Sequence, residues 1–252
     1  MLNKIVFRLN YDENFRMHTN MSSLFHGFIM ENISCDYAEK MHISGLRPFT
    51  QSLVRENDKF FWQISTLDDE AFENIITKIQ KVDSVYIENK EIEIGLSQEY
   101  FYQTSFDELF ERNYFGNNAD RFVKFEFLNP TAFKMAGKYV FMPDSTMILS
   151  GLIKKFDTFS HTVKTGDEQL LTEISEKVFI HDFHISSRNF SVDGSKIPGF
   201  CGNVTLKVNG SETLVKFVNM LADFAEFSGI GIKTALGMGA VIHKTSDQRC
   251  RH

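Results

Sequence analysis

The sequence predicts an α+β protein made of two successive units, each with strands and helices in a β-α-β-β-α-β order. Three observations carry this. Short runs such as Val123-Lys124-Phe125-Glu126-Phe127 alternate apolar and charged residues, the period of a half-buried strand. Other runs, such as Phe72, Ile75, Ile76 and Ile79, or Leu214, Phe217, Leu221 and Phe224, place apolar residues on one face of a helix. The pattern then restarts after a glycine- and asparagine-containing stretch from Asn113 to Ala119, which sets the expected domains at 1–116 and 117–252.

Lys4 to Leu9 opens the first unit as a short strand. Ser22 to Met41 carries Leu24, Phe25, Phe28, Ile29 and Ile33, the spacing of one long helix with a buried face. Phe49 to Val54 and Phe60 to Ser65 are strands around the polar turn Arg55-Glu56-Asn57-Asp58. Thr66-Leu67-Asp68-Asp69 has the form of a capping box in front of the Phe72 helix. Val85 to Glu88 and Glu91 to Gly95 return to strand, which completes a ferredoxin-like half. In the second unit, strands at Val123–Phe127 and Tyr139–Phe141 precede a helix capped by Asp144 that carries Met147, Ile148, Leu152 and Phe156. Strands at Val178–Ile185 and Val204–Val208 follow, then a helix capped by Ser211 and ended by Gly229, and a final strand at Ala240–His243.

A chain of 252 residues with 42% apolar content and 26 phenylalanines supports a sizeable aromatic core. Its three cysteines, Cys35, Cys201 and Cys250, are scattered, which fits a reducing compartment and not a disulfide framework. With no signal-peptide pattern and no apolar run of membrane-spanning length, the expected location is cytoplasmic, without a membrane partner. The net charge of −6 argues against broad, non-specific nucleic-acid binding, though not against a local basic groove.

Few residues offer chemistry. His181-x-x-His184 is the one close histidine pair, and a strand would send the two rings to opposite faces, so no metal site is expected. Ser228 to Val241 reads S-G-I-G-I-K-T-A-L-G-M-G-A-V. Its spacing fits neither a P-loop, because Lys233-Thr234 follows Ile232 and not glycine, nor a dinucleotide fingerprint. His42, at the expected end of the first helix, is followed by Gly45 and Arg47 before a strand. His26 lies one helical turn before Met30 on the same face.

Five stretches together resemble a known family. They are M-H-I-S-G-L-R-P-F-T-Q-S-L from Met41 to Leu53, F-L-N-P-T-A-F-K from Phe127 to Lys134 with F-M-P-D at Phe141 to Asp144, I-P-G-F-C-G from Ile197 to Gly202, and G-I-G-I-K-T-A-L-G-M-G from Gly229 to Gly239. In this order they resemble the CRISPR-associated repeat-RNA endoribonucleases, the sixth Cas protein family of the repeat-associated mystery protein superfamily. The resemblance implies tandem ferredoxin-like domains and cleavage of a CRISPR precursor transcript within its repeats, with neither metal nor cofactor. It implies His42 as general acid or base and Arg47 as the cation that offsets phosphate charge. Some members place a tyrosine where this chain has Met30, so His26, and less directly Tyr37, stands in for it. RNA contacts are expected from Lys233 and the loop glycines Gly229, Gly231, Gly237 and Gly239, and from Lys134 and Lys138, with Lys154 and Lys155 extending the groove. The implied partners are CRISPR repeat RNA and an effector complex that receives the product, with the protein itself a monomer or homodimer. The rival expectation is a protein that holds repeat RNA without cutting it.

Overall fold

The computed structural model describes every residue except 44, 117–118, 161–164, 166–167, 193 and 246–252, together with the side chains of residues 42 and 43. Two compact units emerge, one of residues 1–104 and 233–237, the other of 105–232 and 238–252.

The first unit is a five-stranded antiparallel sheet in the order β2-β3-β1-β5-β4: β1 (Leu2–Asn10), β2 (Phe49–Glu56), β3 (Lys59–Thr66), β4 (Ser84–Ile87) and β5 (Ile92–Thr104). The expected turn between β2 and β3 narrows to Asn57 and Asp58, both at positive φ, as a two-residue hairpin requires. Ile5, Phe7, Phe49, Leu53, Trp62, Ile64 and Ile94 line its core face. Helix α1 (Ser22–Asn32) covers that face with Phe25 and Ile29. Helix α3 spans residues 69–79, with a π-helical turn at Phe72–Ile76, and contributes Ile75, Ile76 and Ile79. Its cap is Asp68, whose carboxylate accepts from Ala71 N–H at 2.7 Å, and not the Thr66-led box expected from sequence.

The expected single helix over 22–41 is two. Ile33 is extended, and Ser34 then starts α2 (Cys35–Ile43), its carbonyl accepting from Ala38 N–H at 2.9 Å and its hydroxyl from Tyr37 N–H at 3.4 Å. Serine at a helix start satisfies amide donors that otherwise have no partner, which makes the break stable.

The second unit is a four-stranded antiparallel sheet ordered β11-β6-β10-β9: β6 (Phe122–Thr131), β9 (Val178–Val192), β10 (Ser195–Val208) and β11 (Val241–Lys244). A small hairpin of β7 (Phe133–Met135) and β8 (Lys138–Val140) projects beside it. Asp144 caps helix α5 (Ser145–Phe159), and Ser211 caps α7 (Glu212–Ser228), both as the sequence suggests. Two further helices, α4 (Phe106–Phe115) and α6 (Glu168–Lys177), are not read from the sequence.

Helix α4 groups with the second unit, ahead of the residue-116 boundary, because its contacts are there. Phe106 packs edge-on against Phe156 and tilted against Phe224. Arg112 and Asn113 both donate to Asp223 Oδ2, at 3.0 and 2.9 Å, while Asp223 Oδ1 meets buried His243 Nδ1 at 2.7 Å. Burial alone would raise the Asp223 carboxyl, but the bond and charge of His243, with Asn113 and Arg112, hold it below the usual carboxylate range.

On β9, a bulge opposite Thr205/Leu206 changes the side-chain alternation. His184 pairs with exposed Asn203 on the open face, and His181 packs edge-on against Phe122 of that same face. The two rings therefore share one face, contrary to simple strand alternation. Among the described residues, no group of three or more His, Cys, Asp or Glu is placed to hold a metal ion. No described helix is long and apolar enough to cross a membrane.

Candidate active site

Helix α2 is held on the core by Tyr37 and Met41, one turn apart and both buried. Backbone residue 42 therefore occupies the last turn, next to the anchor Met41. The negative end of a helix favours a cation there. The side chain of His42 lies outside the described residues. After the helix, the chain passes Gly45 and Arg47 to buried Pro48, whose carbonyl accepts from Leu67 N–H at 2.8 Å, and enters β2 at Phe49.

Arg47 is half-buried, and burial lowers its pKa. Its Nη1 is shielded from solvent and meets no hydrogen-bond acceptor among the described residues. A buried guanidinium nitrogen without an acceptor is costly, and an anion arriving from outside would relieve it. His26, half-buried on α1, stacks on Phe49 with ring centroids 5.9 Å apart and planes at 6°. The structure thus brings His26 to the start of β2, two residues beyond Arg47. Met30 packs against the core, where it contributes no proton-transfer group. Tyr37 is only 5% exposed, and burial, then the carboxylates of Asp68 and Glu70, push its phenol well above the ordinary range. It is an anchor of α2 and not a stand-in acid.

The glycine loop is divided between the units. Residues 233–237 pack on β2 and α1: Gln51 Nε2 donates to Ala235 O at 3.0 Å and to Ser22 O at 2.9 Å, while Trp62 Nε1 donates to Gln51 Oε1 at 3.0 Å. Gly237 has φ 113°, and a Cβ there would overlap Ser22. In the second unit, a Cβ on Gly231 would overlap Ala132 O. Gly229 N–H donates to Ala225 O at 2.8 Å, and Gly239 N–H to Pro130 O at 3.1 Å. All four glycines have an internal role, either in close packing or in a backbone hydrogen bond. Lys233 differs from them. It is exposed and sits in the left-handed region at φ 54°, a conformation that costs a residue with a side chain about 1–2 kcal/mol.

Lys134 and Lys138 lie exposed on the β7–β8 hairpin, turned through Ala136 and Gly137 and accompanied by exposed Met135 and Tyr139. Lys154 is exposed as well, but Lys155 does not extend a surface groove. It is buried and donates to the carbonyls of Ser228 at 2.6 Å and Gly229 at 3.1 Å, and burial lowers it to about 7. These are end carbonyls of α7, which a lysine can satisfy. Adjacent lysines in sequence give no hint that one of them points inward.

A family profile described as CRISPR-associated endoribonuclease Cas6 matches residues 125–241. The chain is 33% identical over 221 residues to the CRISPR-associated endoribonuclease Cas6 of Mycobacterium tuberculosis, covering 86% of this chain and 69% of that one. It is 29% identical over 218 residues to that of Streptococcus thermophilus, covering 86% and 88%. A solved product complex of a Thermus thermophilus Cas6 superposes with a TM-score of 0.79 over 97% of this chain and 100% of that one, at 21% identity. That likeness matches the tandem ferredoxin-like architecture.

Proposed function

The chain belongs to the Cas6 family of CRISPR-associated endoribonucleases, and from that premise we propose that it cuts CRISPR precursor RNA within the repeats to release guide RNAs. The observation that carries the site assignment is Arg47. Its guanidinium nitrogen, buried and without an acceptor among the described residues, lies four residues after the end of the helix whose last turn holds His42, and a scissile phosphate would supply the missing acceptor.

The reaction needs no group beyond side chains and RNA. The 2′-hydroxyl beside the scissile phosphate gives its proton to a base, and its oxygen bonds to phosphorus. The 5′-oxygen of the next nucleotide leaves and takes a proton from an acid. The products are a 2′,3′-cyclic phosphate and a 5′-hydroxyl. His42 fills one proton-transfer role and His26, in place of a tyrosine at Met30, the other. Arg47 stays protonated and offsets the charge that gathers on the phosphate. Lys233, Lys134 and Lys138 contact the RNA backbone, and the loop glycines shape the surface beneath it. In this reading the protein acts in the cytoplasm, as a monomer or homodimer, and passes its product RNA to an effector complex.

Incubating the cognate repeat RNA with the protein in excess EDTA tests the reading. The expected result is cleavage with cyclic-phosphate and 5′-hydroxyl ends. Tight binding without any cut would favour the RNA-holding alternative instead.

Lys233→Gly separates RNA contact from folding. Glycine relieves the left-handed strain, so unfolding stability should rise by about 1 kcal/mol. RNA affinity should fall, and the salt dependence of binding should drop by about one unit of slope. Denaturant melts and binding titrations over a salt series check both. An unchanged salt slope would remove Lys233 from the RNA-contacting set.

A further inference from the structure

Beside the glycine loop, the second unit holds a cavity of about 530 Å³, within the roughly 300–1,000 Å³ of ordinary ligand pockets. Its lining is mainly apolar, with Phe133, Met147, Leu152 and Ile230, and Lys134 and Lys154 are its two exposed cations. Net charge across the chain is −6, so an apolar hollow with two exposed lysines in its lining is a local reversal of the protein's overall charge.

One wall contains Gly151, in the middle of α5 and exposed. A Cβ built there would meet nothing within 4 Å. Packing therefore does not require glycine, which after proline is the residue least suited to a helix interior. What glycine provides is room in the cavity. Residues 229–232, which also line the cavity, are fixed in advance: Ile230 N–H donates to Gly239 O at 2.9 Å, Ile232 N–H to Ala132 O at 3.0 Å, and buried Lys155 holds the Ser228 and Gly229 carbonyls.

We propose that this cavity takes the base of one unpaired nucleotide of the RNA substrate. The inference rests on the RNA-processing reading above. A base presents a flat apolar body between two phosphates, which matches an apolar hollow whose lining includes the exposed cations Lys134 and Lys154. An apolar side chain of a protein partner would use the floor but leave both cations without a counterpart.

Gly151→Leu fills the cavity with a good helix former, and Gly151→Ala adds a single methyl that meets nothing. Affinity for cognate repeat RNA is measured for both and for wild type, using intact RNA and a set in which each base in turn is abasic. Burying a base is worth about tenfold or more in affinity. The expected result is such a loss in Gly151→Leu, none in Gly151→Ala, and melting temperatures no lower than wild type. One abasic position should weaken wild type by a similar factor and Gly151→Leu no further. Wild-type affinity for Gly151→Leu overturns the inference and leaves the cavity to a protein side chain. So does a scan in which no abasic position weakens binding to wild type, a result that needs no variant to fold. Wild type that neither binds nor cuts repeat RNA would overturn the functional reading itself, an outcome distinct from both.

Discussion

His42→Ala should slow cleavage of the cognate repeat RNA by about 10²–10⁴-fold, the usual contribution of a positioned acid or base, with RNA affinity nearly unchanged. The backbone at 42 lies in the last turn of α2, which Tyr37 and Met41 fix to the core, so alanine there preserves the helix. An imidazole titrates near neutrality, so the wild-type rate should vary with pH between about 5 and 8, and the variant should lose that dependence. Single-turnover rates over a pH series, with binding measured separately, check this. A loss below tenfold would remove His42 from the chemistry. The same assay decides His26. Because its ring stacks on Phe49, His26→Phe keeps an aromatic partner for that contact while removing proton transfer. A slowed reaction without loss of thermal stability would assign His26 to catalysis, and an undiminished rate would assign it to packing.

Asp223→Ala should cost about 3 kcal/mol of stability, the low end for breaking a buried charged network because Arg112 is half exposed. The carboxylate serves three donors at once: Arg112 and Asn113 of α4, and His243 of β11. Removing it leaves His243, 4% exposed, without its acceptor. The pH dependence has a definite sign. Asp223 has a depressed pKa in the folded protein, so its contribution is fully present above the unfolded carboxyl value near 3.9. It is lost as pH falls through the lower folded value. Asp223→Asn should therefore flatten the part of the acid limb just below about pH 4. Urea melts of both variants from pH 3 to 7 check this, and unaltered midpoints would mean that the network contributes nothing net.

Most strands and the long capped helices were legible because alternation and helical spacing are local. Asp144, Ser211 and Gly229 do at their positions what those residue types do generally. The split of the first helix at Ile33-Ser34 was hidden, since the apolar spacing continues through the break. Helix α4 was hidden as well, because its stability comes from Phe106, Arg112 and Asn113 meeting partners more than forty positions away. At the candidate site, the family resemblance pointed to Arg47 and His26, but only the fold shows one nitrogen of Arg47 shut away without an acceptor among the described residues and His26 stacked on Phe49. Lys155 read as a surface charge because inward and outward lysines have the same sequence signature.

Gln51 has a consequence for the order in which the chain can fold. Its amide nitrogen is buried and needs both the Ser22 and the Ala235 carbonyl, and Gly237 fills the last gap beside Ser22. The unit that bears His26 and Arg47 is therefore not finished by the first 104 residues. The amino-terminal half, made first, is completed in the folded protein by a segment made more than a hundred residues later. A fragment cut after Thr104 would keep the Ser22 carbonyl as an acceptor for Gln51 but lose that of Ala235.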